Sequence, residues 1–312
     1  MNRRPARLLA GQMVEVRPPA EIAATLDVEG KLEGVPFMPE MAAFCGRRLR
    51  VVRRADKTCV EGWGLRKMRG VVHLEQARCD GAEHDGCQRK CLIFWKEAWL
   101  RPVEATAEQD CLDGSSSEAR AHLCLQAAPT RRGERYACQS TALAGATQPL
   151  PMWDISHLVR DVLHRELTPK GFAAIVGRTL VNRARRVVGL PELGQLTGEA
   201  AQPPKGTLGL KPGEWVRIKS GDEIRQTLGP NGKNVGLSFE PEMTGYIGET
   251  FQVDAPVEKI ILEESGKMAR LTSTVALQGL VCQGRCVKNC PRSNPLYWRE
   301  GWLERVQMQP AE

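Results

Sequence analysis

The chain repeats itself, and that limits its possible folds more than any other feature. Residues 11–52 align with residues 213–254 at an offset of 202, without gaps, and fifteen of the 42 positions are identical. Average composition gives roughly one match in seventeen by chance. The matches include Gly11/Gly213, Val14/Val216, Ile22/Ile224, Thr25/Thr227, Phe37/Phe239 and an identical Pro-Glu-Met, residues 39–41 and 241–243. At an offset of 203 the match resumes: Cys79/Cys282, Cys87/Cys290, Trp95/Trp298, Glu97/Glu300, Trp99/Trp302 and Leu100/Leu303. Two copies of one module, near residues 11–104 and 213–306, are therefore expected on either side of a connector.

Each copy opens on period-two alternation, Met13–Val16 and Trp215–Ile218, which predicts a half-buried strand. One or two helical turns follow near Glu21–Leu26 and Glu223–Leu228, ended by Gly-rich loops. The segment around Phe37–Met41 is expected to be extended, because proline disfavours helix at the residue before it. Further strands are expected near Gly46–Val52 and Gly70–Leu74, and near Gly248–Val253 and Arg270–Leu277. Short strands with Gly-marked turns predict a mainly β protein built of two tandem SH3-like small open barrels. The expected division is 1–104 for the first module, 105–212 for a connector of loop and two helices, and 213–312 for the second module. Trp95 and Trp99, like Trp298 and Trp302, are four apart; in a strand both face one side and anchor a core. Glu97 and Glu300 alternate with them and are expected on the opposite face, solvated or salt-bridged.

Residues 105–150, rich in Ala, Ser, Gly and Thr, predict a loop. A helix is expected from Asp154 toward Leu167. Another follows, capped by Thr168 with Pro169 at its first position. The second carries an apolar stripe of Phe172, Ile175, Val176, Leu180, Val181 and Val187, expected to pack on neighbouring structure. It also carries Lys170, Arg178, Arg183, Arg185 and Arg186.

The cysteines carry the chemical signal. The first copy holds Cys79, His84, Cys87 and Cys91 within 13 residues, thiolates and an imidazole able to close a tetrahedral zinc shell. Cys138 is an alternative fourth ligand. The second copy offers Cys282, Cys286 and Cys290 with no histidine nearby, since His84 aligns with Val287 and Cys91 with Asn294. Paired thiols packing a loop are the plain alternative in both. A bound metal is expected to order the loop, not to catalyse. The stretch Asp56-Lys57-Thr58-Cys59 reads as a loop. No catalytic residue is expected, because the chain has no P-loop, dinucleotide fingerprint, G-x-S-x-G or H-E-x-x-H, and none of its five histidines sits in a recognisable catalytic arrangement.

An odd count of 11 cysteines, an N-terminus lacking a signal-peptide apolar core and no run of 18 apolar residues predict a cytoplasmic protein with reduced thiols. The net charge of +7, from 44 basic and 37 acidic residues, is a mild excess that does not by itself call for a polyanionic partner.

The segment Gly86-Cys87-Gln88-Arg89-Lys90-Cys91-Leu92-Ile93-Phe94-Trp95-Lys96-Glu97-Ala98-Trp99-Leu100 resembles a signature of a bacterial protein family. Gly34–Met41, Tyr136–Thr141, Cys290-Pro291-Arg292 and Tyr297–Glu300 fit the same likeness. Together these cover most of the chain. The duplicated architecture resembles the peptide-binding proteins of crocagin-type pathways, which make pyrroloindoline alkaloids from a ribosomal precursor peptide. The resemblance implies an accessory protein that holds a precursor peptide for the tailoring enzymes of its pathway, and it supplies no catalytic residues. Two other readings stand beside it: an enzyme that modifies the peptide through a Cys-bound metal, and a nucleic-acid-binding tandem-barrel protein, which the modest charge disfavours. An open barrel edge also leaves room for a homodimer.

Overall fold

The computed structural model describes residues 7–103, 116–151, 153–200, 206–285 and 288–306. Its backbone is mainly β, in several small antiparallel sheets. The chain divides into two compact units. One comprises residues 1–169 with 261–268 and 287–292; the other comprises 170–260, 269–286 and 293–312. The boundary at residue 169 falls inside the segment expected to be connector. The first unit also takes in two short pieces of the second repeat.

In the first unit a five-stranded antiparallel sheet runs in the order Trp95–Lys96, Val71–Leu74, Arg48–Arg54, Met13–Val16, Leu100–Pro102. Val14 pairs with Leu49 on one side and Pro102 on the other, and the register slips between Val51 and Arg53. In the second unit the order is Pro295–Arg299, Thr274–Val281, Thr250–Pro256, Trp215–Ile218, Leu303–Arg305. There Val216 pairs with Phe251 and Arg305, and the slip lies between Val253 and Ala255. Aligned residues thus make the same pairings, and the bulge falls at the same repeat position.

The tryptophans serve the cores, as expected, with all four at 0% exposure. Phe37 meets Trp95 and Trp99 edge-on, with centroids 6.3 and 5.3 Å apart; Phe239 meets Trp298 and Trp302 at 6.1 and 5.2 Å. Trp99 Nε1 donates to Thr25 Oγ1 at 3.0 Å and Trp302 Nε1 to Thr227 Oγ1 at 2.9 Å, so the repeated threonines satisfy buried indoles. Trp95 lies in a strand, but Trp99 lies in a following 3₁₀ turn, Glu97–Trp99, so the two do not share one strand.

Glu97 keeps an ion pair, one of the two expected states, whereas Glu300 departs from the solvated or salt-bridged expectation. Glu300 is buried and accepts the N–H groups of Leu208, Gly209 and Leu210 at 2.6, 2.9 and 2.9 Å. Glu97 accepts the Leu8 N–H at 2.9 Å and pairs with Arg54 at 2.6 Å. A carboxylate in each copy therefore gathers the backbone ahead of the first strand, where donors would otherwise be buried unpaired.

Three other expectations change. Pro39–Phe44 is a 3₁₀ turn, not extended, because proline restricts the residue before it and itself suits a first helical position. The 105–150 segment contains helices Ser116–Gln126 and Gln139–Ala146; residues 104–115 lie outside the described set. The second of these helices is anchored by Gln139, whose side chain accepts from Phe94 N and donates to the carbonyls of Phe94 and Pro36 at 2.8, 2.8 and 3.1 Å. The later helices form at Ser156–Leu163 and Pro169–Val187, but Leu180, Val181 and Val187 are exposed, so the stripe is only partly covered.

Candidate metal centre

The loop between Cys79 and Cys91 is pinched at its neck. Cys79 N donates to Cys91 O at 2.9 Å, Ile93 N donates to Ala77 O at 3.0 Å, and Arg78 bridges Leu92. These bonds bring residues 12 apart to one place. Inside the neck, Gly81 takes φ +75, and a Cβ there would lie 2.0 Å from Cys87 O. Only glycine lets the backbone double back so closely. The short 3₁₀ turn Ala82–His84 then buries the imidazole.

A partner comes from another element. Pro39–Phe44 carries Glu40, and one ligand atom each from Glu40, Cys79 and His84 lies within 4.8 Å of the others. Cys79 Sγ donates to Glu40 Oε1 at 2.9 Å, and His84 Nδ1 stands 3.3 Å from that same oxygen. The His84 approach has ion-pair distance without hydrogen-bond alignment, leaving His84 Nδ1 and Glu40 Oε2 buried with no hydrogen-bond partner. His84 Nε2 faces Ala137 O at 3.3 Å. A proton on Nε2 suits that carbonyl and leaves the Nδ1 lone pair free, the arrangement of metal-bound histidines. This cluster has the donors and spacing to hold a metal ion.

Four thiols stand close by. Cys79, Cys87, Cys91 and Cys138 line one small cavity together with His84. Its volume of about 30 Å³ suits an ion or one or two waters. Of the expected first-copy residues, Cys79 and His84 join Glu40 in the cluster, whereas Cys87, Cys91 and the alternative Cys138 line the same cavity outside it. Glu40 was missed, although Pro39-Glu40-Met41 was one of the repeat's plainest signals.

Burial pushes the Cys79 thiol up, and the adjacent Glu40 carboxylate and Cys91 push it further. Burial likewise raises Cys87, and raises Cys138 to about 11. Burial pushes the Glu40 carboxyl up, but the nearby His84 imidazole and the Cys79 hydrogen bond outweigh it and hold it below the ordinary value. The His84 imidazole is opposed by burial but raised on balance by Glu40. Without metal, the buried thiol is held toward its protonated form, while Glu40 favours the charged form of the imidazole beside it. A cation would displace the thiol and imidazole protons.

The second-copy residues do not form such a centre among the described residues. Cys282 packs at the edge of the second unit's core, Cys290 belongs to the first unit and hydrogen-bonds to Cys59, and Cys286 lies outside the described residues. Glu242, the counterpart of Glu40, accepts the N–H groups of Gln283 and Arg285 at 2.7 and 2.6 Å.

Beside the centre runs a groove of about 180 Å³, walled by two short hairpins. One pairs Lys31–Leu32 with Val35–Pro36, and the other pairs Arg131–Arg132 with Arg135–Tyr136. Met38 and Cys138 line both the groove and the metal-centre cavity. No helix among the described residues is long and apolar enough to cross a membrane. No family model, curated protein or solved structure matches the chain.

Proposed function

We propose that this chain is a precursor-peptide-binding accessory protein whose first unit is ordered by a zinc ion. The observation that carries the reading is the shared wall: Met38 and Cys138 line both the thiol-rich cavity and the neighbouring groove. A metal that fixes this wall also fixes the surface a peptide meets. Thiolate and imidazole donors with a carboxylate favour zinc over harder cations such as magnesium or calcium. Glu40, Cys79 and His84 supply three donors, and a further thiol of the cavity completes the shell.

The groove suits an extended chain. Two-residue hairpin strands leave backbone edges to which a peptide adds, while Phe37 and Tyr136 give apolar contacts. The resemblance to crocagin-type binding proteins names the partner class, a ribosomal precursor peptide presented to tailoring enzymes. We read the two five-stranded sheets as copies of one SH3-like module, supported by their equivalent registers, bulges and tryptophan contacts.

Calorimetric titration of the full chain with a synthetic candidate precursor peptide tests the reading. Binding is expected with little dependence on salt, and weaker after zinc is removed by a chelator. Absence of binding under both conditions overturns the peptide assignment. Equal binding under both separates the metal from the groove.

A further inference from the structure

The strand Lys57–Val60 pairs with Gly64–Lys67, so the stretch expected to be a loop is ordered sheet. It carries Cys59 into a buried polar array; Arg292 and Ser140 of that array also line the thiol cavity, but Cys59 and Cys290 do not. Cys59 N donates to Cys290 Sγ at 3.1 Å, which brings the two cysteines together. At the repeat offset, Cys59 falls on Ile261 and Cys290 on Cys87. The exchanged contact exists as well, with Ile261 N donating to Cys87 Sγ at 3.3 Å. Both contacts lie within the first unit. One therefore pairs a thiol with an isoleucine, and the other pairs a thiol with a thiol.

The surroundings hold both sulfurs in place. Arg292, two residues beyond Cys290 and buried, donates to Cys59 O at 2.9 Å, to Glu263 at 2.6 Å and to Ser140 Oγ at 3.1 Å. Asn289, just before Cys290, donates to Asp161 at 2.7 Å, and Asp161 also binds Lys57 Nζ at 2.5 Å. Both strands of backbone that carry the thiols are thereby tied to buried charge pairs, with cationic groups on the Cys290 side. Cys290 is buried, whereas Cys59 is half-buried.

We propose that Cys59 and Cys290 are an oxidation site, a dithiol that peroxides convert to a disulfide within the first unit. The Cys290 thiolate attacks one peroxide oxygen, the O–O bond breaks, and hydroxide leaves. The Cys59 thiol then attacks the resulting sulfenic sulfur, forming the S–S bond. Its proton and the expelled hydroxyl leave as water. In total two thiols and one hydrogen peroxide give one disulfide and two waters, with the thiols oxidised and the peroxide reduced. A small-molecule thiol reductant resets the pair. Burial pushes the Cys290 thiol up, but the Cys59 hydrogen bond, backbone donors and Arg292 outweigh it and hold it down to about 7. Cys59 is raised by its hydrogen bond to Cys290 and by burial, so it keeps the proton and acts as the resolving thiol.

The test treats the full chain with hydrogen peroxide at neutral pH, with zinc and after chelation, then blocks free thiols and maps peptides without reduction. A Cys59–Cys290 cross-link is expected in both samples, forming about tenfold faster than oxidation of the exposed Cys124. Cys290→Ser abolishes it. Cys59→Ser abolishes it too but leaves a sulfenic acid on Cys290 that dimedone traps. Should these variants fail to fold, dimedone competition on the unmutated chain gives the same assignment by suppressing the cross-link and labelling Cys290. Oxidation confined to Cys124 or to the Cys79–Cys91 loop, with Cys59 and Cys290 still free, overturns the proposal.

Discussion

The acid of Pro-Glu-Met occupies the same place in both repeats and does different work. In the first, Glu40 faces a thiol and an imidazole and leaves one buried oxygen unpaired. In the second, Glu242 spends both oxygens on the backbone N–H groups of Gln283 and Arg285. One carboxylate is available to a cation and the other already closes a loop. The duplicated framework thus tolerates two solutions to one problem, ordering a cysteine-bearing loop. The cores, by contrast, retain the same aromatic contacts to within 0.2 Å between Phe37 and Phe239 and their tryptophans.

The largest effect should come from that shared core. Trp99→Ala and Trp302→Ala are each expected to cost about 3–5 kcal/mol, measured by chemical denaturation. A large loss for one and little for the other would break the parallel. Next, His84→Ala should lower zinc affinity by about a hundredfold or more in a chelator competition, because it removes a ligand. The glutamates sharpen the contrast further. Glu40→Gln should weaken zinc binding by about tenfold or more. Glu242→Gln should leave zinc affinity unchanged and cost about 1–2 kcal/mol of stability through weakened loop hydrogen bonds. Equal zinc responses in the two variants would contradict the assignment.

The smallest effect on stability is in pH. His84 has its value raised in the fold, so its stabilisation is complete below the ordinary 6.5 and fades as pH rises through the raised value. Glu40 has its value lowered, so its contribution is complete above the ordinary 4.5 and fades as pH falls through the lowered value. The metal-free pair therefore stabilises most between pH 4.5 and 6.5. Zinc affinity runs the other way. It should climb about ten- to a hundredfold per pH unit near neutrality as thiol and imidazole protons are displaced. Metal-free protein whose stability does not fall as pH is raised above 6.5 or lowered below 4.5 would remove the ion pair from the account.

Much of the framework was legible in the residues, because strand alternation and paired tryptophans report burial directly. Val14 and Val216, or Phe37 and Phe239, needed no tertiary information. The site was legible in its local half only. Cys79, His84, Cys87 and Cys91 announce themselves by spacing, whereas Glu40 arrives from another element and carries no spacing signal. Glu300, buried on backbone donors, departs from its solvated or salt-bridged expectation for a related reason. Alternation predicts a face, but a 3₁₀ turn follows the strand and turns the carboxylates toward backbone donors. Cys59 was read as part of a loop because its partner, Cys290, lies 231 residues away.

The most direct test of the central claim is elemental analysis of the purified full chain alongside a Cys79→Ser/His84→Ala variant, after equilibration with zinc and removal of loosely bound ion. One tightly held zinc per chain, lost in the variant, is the predicted result. A chain that retains no zinc, or a variant that retains as much as its parent, would contradict it.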